Sequence, residues 1–199
     1  MGDSIKRIGI LFFPDAEELD AIGPWEVLSF WTQHFPGDGY EVVAFSKEGG
    51  LVRCAKGLEV MTSFSYDTVG DLEVLLYPGG MGTRTQLHDH EQIDWVRQLR
   101  ATTPVMTSVC TGSLVFAAAG LLASRPATTH WASLDKLGEL DPTIELRRED
   151  RFVDDGDVVT SAGISAGIDM ALHLVKRFAG LERARQVRRG IQYDPQPPV

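Results

Sequence analysis

Residues 107–115 read TSVCTGSLV, and the order of residue types there decides the fold. The run 105–109 is what a strand buried on both faces looks like. Cys110, Thr111, Gly112 and Ser113 then make a turn of small residues, and 114–119 reads as an apolar helix closed by Gly120. A cysteine at this junction stands at the start of a helix, where unpaired N–H groups and the positive dipole end favour an anion. The expectation is a lowered thiol pKa and a nucleophilic thiolate, with the Thr111 N–H placed to stabilise developing charge and Gly112 permitting close packing. The competing reading of Cys110 is a small core residue.

Outward from this elbow, apolar runs at 7–12, 40–46, 74–77 and 158–161 alternate with helical segments. That rhythm predicts an α/β fold, a mostly parallel sheet with helices on both faces. The spacing predicts a loop running into a helix over 19–31, interrupted early by Gly23 and Pro24, and a hairpin of 51–53 against 58–62. Further helices are expected over 91–100, 131–140, 165–178 and 181–189, with short strands near 144–147 and 152–153. The tail 194–199 holds three prolines and is expected to lie extended or to fray.

The chain has 199 residues, 43% of them apolar, enough for one core and too few for two ordinary α/β domains. One domain over 1–199 is expected. A net charge of -9 argues against a nucleic-acid footprint, and Arg183, Arg185, Arg188 and Arg189 read as a solvated face near a helix C-terminus. Two cysteines in unlike contexts, Cys54 and Cys110, argue against a disulfide framework and fit a reducing compartment; Cys54, mid-hairpin, reads as structural. The apolar run 8–13 is too brief for a signal segment or a membrane span, so a cytoplasmic protein with no membrane association is expected.

A thiolate needs a proton carrier. Asp15, Glu17, Glu18 and Asp20 follow the first strand at the carboxyl edge where α/β sheets build their sites. One of the four is expected to be held protonated and to act as acid or base, the other three to be solvated charges; the residue types alone do not select it. The loop Gly79, Gly80, Met81, Gly82 reads either as N–H donors facing a substrate or as a tight turn needing positive φ. It lacks the spacing of a phosphate-binding loop, so no nucleotide and no other cofactor is expected. His130 is a candidate base for a Cys/His pair, with a helix-capping histidine as the rival reading. His88, Asp89 and His90 are weak metal ligands, and no metal is expected. Trp25, Met81, Trp131 and Ile164 line an apolar pocket on one reading and are plain core on the other.

The chain resembles the ThiJ/PfpI superfamily, and within it the bacterial isocyanide hydratases. The matching stretches are FPDAEELDAIGPWEVL (13–28), YPGGMG (77–82), SVCTGSLVFAAAGLL (108–122), ATTHWA (127–132), SAGISAGIDMAL (161–172) and QYDPQPP (192–198). The resemblance implies a flavodoxin-like sandwich, like that of class I glutamine amidotransferases, that forms a homodimer and acts on a small molecule. It implies Cys110 as nucleophile and Asp20 as its acidic partner, with the backbones of Thr111 and Ile164 beside the thiolate; Gly80 and His130 join Ile164 as candidate substrate contacts. The implied reaction is hydration of an isocyanide to an N-substituted formamide. The alternatives are a glyoxalase-type reaction on small dicarbonyls and a cysteine redox sensor or ligand-binding regulator. The TTHW and SAGISAGID stretches also occur in sensing domains of AraC-type regulators, whose helix-turn-helix domain is not expected within these 199 residues. Ala162 departs from the more glycine-rich hydratase turn, and its methyl group is expected to narrow the space beside the elbow or to stiffen it.

Overall fold

A computed structural model describes residues 5–196. Strand β1 (Lys6–Leu11) leads into α1 (Glu18–His34), β2 (Tyr40–Phe45), the hairpin β3 (Gly50–Arg53) and β4 (Glu59–Thr62), then β5 (Val74–Tyr77). Next come α2 (Thr83–Gln86), α3 (His90–Thr102), β6 (Val105–Val109), α4 (Gly112–Ala118), β7 (Pro126–Ala127) and α5 (Leu134–Leu140). The chain continues through β8 (Glu145–Leu146), β9 (Phe152–Asp154), β10 (Val158–Ser161), α6 (Ala166–Ala179) and α7 (Leu181–Gly190).

The main sheet runs β2-β1-β5-β6-β10-β9, parallel except for β9 at its edge. Every residue of β5, β6 and β10 is buried. Helices cover both faces of these strands, so they carry unbroken apolar runs rather than an alternation. One group of helices is α1, α6 and α7; the other is α3, α4 and α5. This is the flavodoxin-like arrangement expected from the sequence.

Register brings the working loops together. Tyr77 pairs with Ser108 and Val109 with Ser161, so β5, β6 and β10 end side by side. The loops that follow them, and the one after β1, converge at the carboxyl edge of the sheet.

The departures from expectation have physical causes. Helix α1 runs unbroken over 17 residues through Gly23 and Pro24. A Cβ on Gly23 would lie 3.0 Å from Ile168 Cγ1, so the close approach of α6 holds this turn despite its poor propensity. The strand expected at 144–147 shrinks to the two-residue β8, paired parallel to the equally short β7. Arg183 does not belong to a solvated face: it pairs with Asp38 and lies over the Phe35 ring at 3.7 Å. Of the proline-rich tail, Asp194 to Gln196 carry no regular structure, and 197–199 lie outside the described residues.

Candidate active site

Cys110 follows β6 directly and adopts φ 55°, a left-handed conformation that costs a non-glycine residue of order 1 kcal/mol. The turn is over-determined from both sides. Its N–H donates to Ser161 O (3.1 Å) and Ala162 O (3.2 Å), and its carbonyl accepts from Thr129 Oγ1 (2.8 Å) and Ser113 Oγ (3.1 Å). Gly112 is required because a Cβ there would stand 2.4 Å from Tyr77 O. Ile164, in the turn after β10, also has a left-handed φ of 51°. The amides of Thr111 and Ile164 both act on the Cys110 sulfur and favour its anion.

Asp20 is the carboxyl brought to this sulfur. It is fully buried on α1. Its Oδ2 accepts the Gly79 N–H at 2.9 Å, and Oδ1 is buried with no other polar partner. The side chains of Asp20 and Cys110 each shift the other's ionisation. Burial pushes the Asp20 carboxyl up to about 7, the Glu17 charge adding to this and the Gly79 N–H opposing it. Burial pushes the Cys110 thiol up to about 12; the Asp20 charge adds to this, against the amides of Thr111 and Ile164.

The direction corrects the lowered thiol pKa expected at the elbow. Helix-start amides do favour the thiolate, but desolvation and a carboxylate at close range outweigh them. Near neutral pH the pair therefore retains a proton rather than presenting a free anion.

The glycine loop is spent on the same groups. Gly79 donates to Asp20, and Gly80 donates to Thr111 Oγ1 at 3.0 Å. Thr83 Oγ1 also donates to Thr111 Oγ1, at 3.1 Å. Gly80 holds φ 118°, as the tight-turn reading requires; the amides of Gly79 and Gly80 face inward, onto the site's own side chains, and that of Gly82 donates to Asp15 O at 3.1 Å.

A cavity of about 260 Å³ opens over the sulfur, lined by Cys110, Thr111, Gly80, His130 and Ile164 together with Met81, Arg84, Glu17, Ala55, Ala132 and Ser133. His130 shares this cavity without bonding to the thiol. Its Nδ1 accepts the Ala132 N–H (3.3 Å), and its ring lies so close to Gly163 that a Cβ there would come within 2.3 Å of Cδ2. The capping reading of His130 is the one observed. Ile164 lines the cavity where Ala162 does not: the backbone of Ala162, not its methyl group, serves the elbow. Trp25 is elsewhere, in a groove with Phe12, Ile22, Val42 and Phe64.

Glu17 and Glu18 also depart from the sequence reading. Their side chains are only 17% and 15% exposed, and both face Lys56 in the hairpin turn, a pairing made across more than thirty-five residues of chain. Arg84 and Ser133 carry no motif signal and were not anticipated at the cavity. Asp89 Oδ1 accepts from the Gln92 N–H and caps α3, and among the described residues no group of three or more His, Cys, Asp or Glu is gathered as a metal site.

Comparison with known proteins agrees with this fold. The model of the DJ-1/PfpI family matches residues 6–177. The isonitrile hydratase of Pseudomonas putida is 37% identical over 193 residues, covering 96% of this chain and 80% of that protein. The HTH-type transcriptional regulator CdhR of Pseudomonas aeruginosa is 31% identical over 77% of this chain, which spans 45% of the regulator's length. Among solved structures, a ThiJ/PfpI family protein from Pseudomonas syringae superposes with a TM-score of 0.86 at 32% identity, covering all of this chain and 78% of that one. Drosophila melanogaster DJ-1beta superposes at 0.82 with 21% identity over 95% of this chain and 98% of its own, which supports the fold alone.

Proposed function

We propose, since this chain belongs to the DJ-1/PfpI family, that it is an enzyme hydrating isocyanides to N-substituted formamides. The observation that carries the reading is the buried Asp20 and Cys110 pair, holding a proton beneath a cavity of about 260 Å³. The 37% identity to an isonitrile hydratase over 96% of the chain supports the same reaction.

The terminal carbon of an isocyanide must accept both a nucleophile and a proton, which is what this pair supplies. Asp20, as carboxylate, takes the Cys110 proton while the sulfur bonds to that carbon. The Asp20 carboxyl then passes the proton to the same carbon, leaving a thioimidate, R–N=CH–S. Water adds to the carbon with one of its protons going to nitrogen. The C–S bond breaks, the hydroxyl proton returns to the pair, and R–NH–CHO leaves. The Thr111 and Ile164 amides stabilise charge on the departing sulfur.

Incubation with an alkyl or aryl isocyanide, followed by loss of the isocyanide infrared stretch and gain of the formamide proton resonance, tests the assignment. No formamide from the wild-type protein would reject it. A second reading, ligand binding without turnover, is favoured by the 31% identity to the regulator CdhR; saturable isocyanide binding without formamide would select it.

One domain accounts for the continuous core. Exposed Leu51 and Met61, beside the groove lined by Ile22, Trp25, Val60 and Phe64, support homodimer formation. The two free cysteines support a reducing compartment, the cytoplasm, and the charge of -9 supports a protein without a nucleic-acid partner. Light scattering reads the assembly directly.

A further inference from the structure

The hydration steps use the sulfur end of the cavity, whereas its mouth holds a cation to which they give no task. Arg84, in α2, lines the cavity and is exposed. Its guanidinium is anchored through one nitrogen: Nη1 donates to Gly80 O (2.9 Å), Thr83 Oγ1 (3.3 Å) and Thr111 Oγ1 (3.3 Å). Among the described residues, Nε and Nη2 have no acceptor and no carboxylate pairs with this side chain. The edge left open is the planar pair of donors that matches the two oxygens of a carboxylate.

The charges around the cavity point the same way. Glu17, the acid in the lining, is paired with Lys56, and Asp20 lies buried behind the sulfur. Arg84 is the charge at the mouth without a counter-ion. Thr111 turns its amide toward Cys110 and its hydroxyl toward Arg84, so the cation stands one residue's span from the reacting atom. A substrate with a carboxylate one or two carbons from its reacting group would reach both.

We propose that Arg84 is a specificity-determining residue that selects isocyanides bearing a carboxylate on a short chain, the isocyano carboxylates. The inference rests on the hydration reading for its reaction and on the guanidinium geometry for its recognition, and the two are separable by experiment. Turnover of isocyanoacetate and of its neutral methyl ester is compared in the wild type, Arg84→Met and Arg84→Lys. The ratio of kcat/KM, acid over ester, is expected above one in the wild type and lower by about ten-fold or more in Arg84→Met, with the change carried by KM. Arg84→Lys, keeping the charge without the fork, is expected in between. A wild type that prefers the ester, or an Arg84→Met that loses both substrates in equal proportion, overturns the proposal.

Calorimetric binding of N-formylglycine, the product expected from the acid, reads recognition without turnover. Weaker binding to Arg84→Met than to wild type supports the carboxylate site even where neither isocyanide is hydrated, an outcome that rejects the hydration reading alone. Equal binding to both proteins, or binding to neither, overturns the site.

Discussion

Cys110 and Cys54 are alike in burial, 6% and 2% exposed, and in both burial pushes the thiol pKa up. They differ in what else reaches the sulfur. Around Cys110 the amides of Thr111 and Ile164 favour the anion and Asp20 can exchange a proton with it; around Cys54 the charges of Glu18 and Glu17 only add to the penalty of burial. The backbones differ as well. Cys110 is held at φ 55°, whereas Cys54 sits in the hairpin turn with its N–H on Leu58 O (2.8 Å). Burial alone makes a thiol inert; a reactive one needs preorganised donors and a place for its proton.

The largest expected effect breaks the pair apart. Cys110→Ala should lower kcat/KM for isocyanide hydration by about 10³-fold or more, because no other group can form the thioimidate. Cys54→Ala should stay within about three-fold of wild type and cost about 1 kcal/mol in urea denaturation, the signature of a lost core methylene-sized group. Formamide production that survives in the first variant and vanishes in a folded second one would invert the comparison.

Asp20→Asn should cost about 10²- to 10³-fold, and its pH dependence carries more information than its size. With its pKa at about 7, the wild-type carboxyl cannot take the thiol proton at lower pH, so kcat/KM should climb through neutrality and then level. The variant should show no such limb. Stability runs the other way. A carboxyl raised from 3.8 to about 7 binds its proton more tightly folded than unfolded, so its contribution is greatest at low pH and declines as pH rises through that window. Asp20→Asn should therefore match the wild type near pH 4 and exceed it by about 2–4 kcal/mol at pH 8. Urea melts at the two pH values measure the gap; a wild type more stable than Asp20→Asn at pH 8 would mean that the carboxylate is not destabilised by its burial.

What could be read from residue order follows the same division. The elbow was legible because its ingredients are local: an apolar run, a small-residue turn, an apolar helix. The choice of Asp20 came from family resemblance, since which of four neighbouring acids turns inward depends on how α1 is rotated against the loop at Gly79. The sign of the Cys110 shift was missed because desolvation and the Asp20 charge are tertiary effects, while the helix-start amides are local. Glu17 and Glu18 read as solvated charges in the sequence because Lys56, their partner, arrives only when the hairpin folds over the start of α1. Arg84 gave no signal at all, being one basic residue in an ordinary polar turn of helix.

A glycine stands beside each cysteine, and their replacement gives the smallest and most local form of the comparison. At Gly79 a Cβ would lie 2.5 Å from Thr111 N, 2.7 Å from Thr111 Oγ1 and 2.8 Å from Asp20 Oδ2, so backbone and both catalytic partners must shift. At Gly57, whose N–H bonds to Cys54 O (3.0 Å), a Cβ would meet only Arg53 Nη2 at 3.7 Å, and the cost there is its φ of 92°. Gly57→Ala should thus lose about 1–2 kcal/mol of stability with turnover nearly unchanged. Gly79→Ala should lose at least about ten-fold in kcat, because displacing the carboxyl from the sulfur by a fraction of an ångström lengthens the proton's path. Equal catalytic losses in the two variants, after correction for the folded fraction, would show that the hairpin turn and the elbow are not independent and that the Lys56 contacts to Glu17 and Glu18 transmit strain to the site.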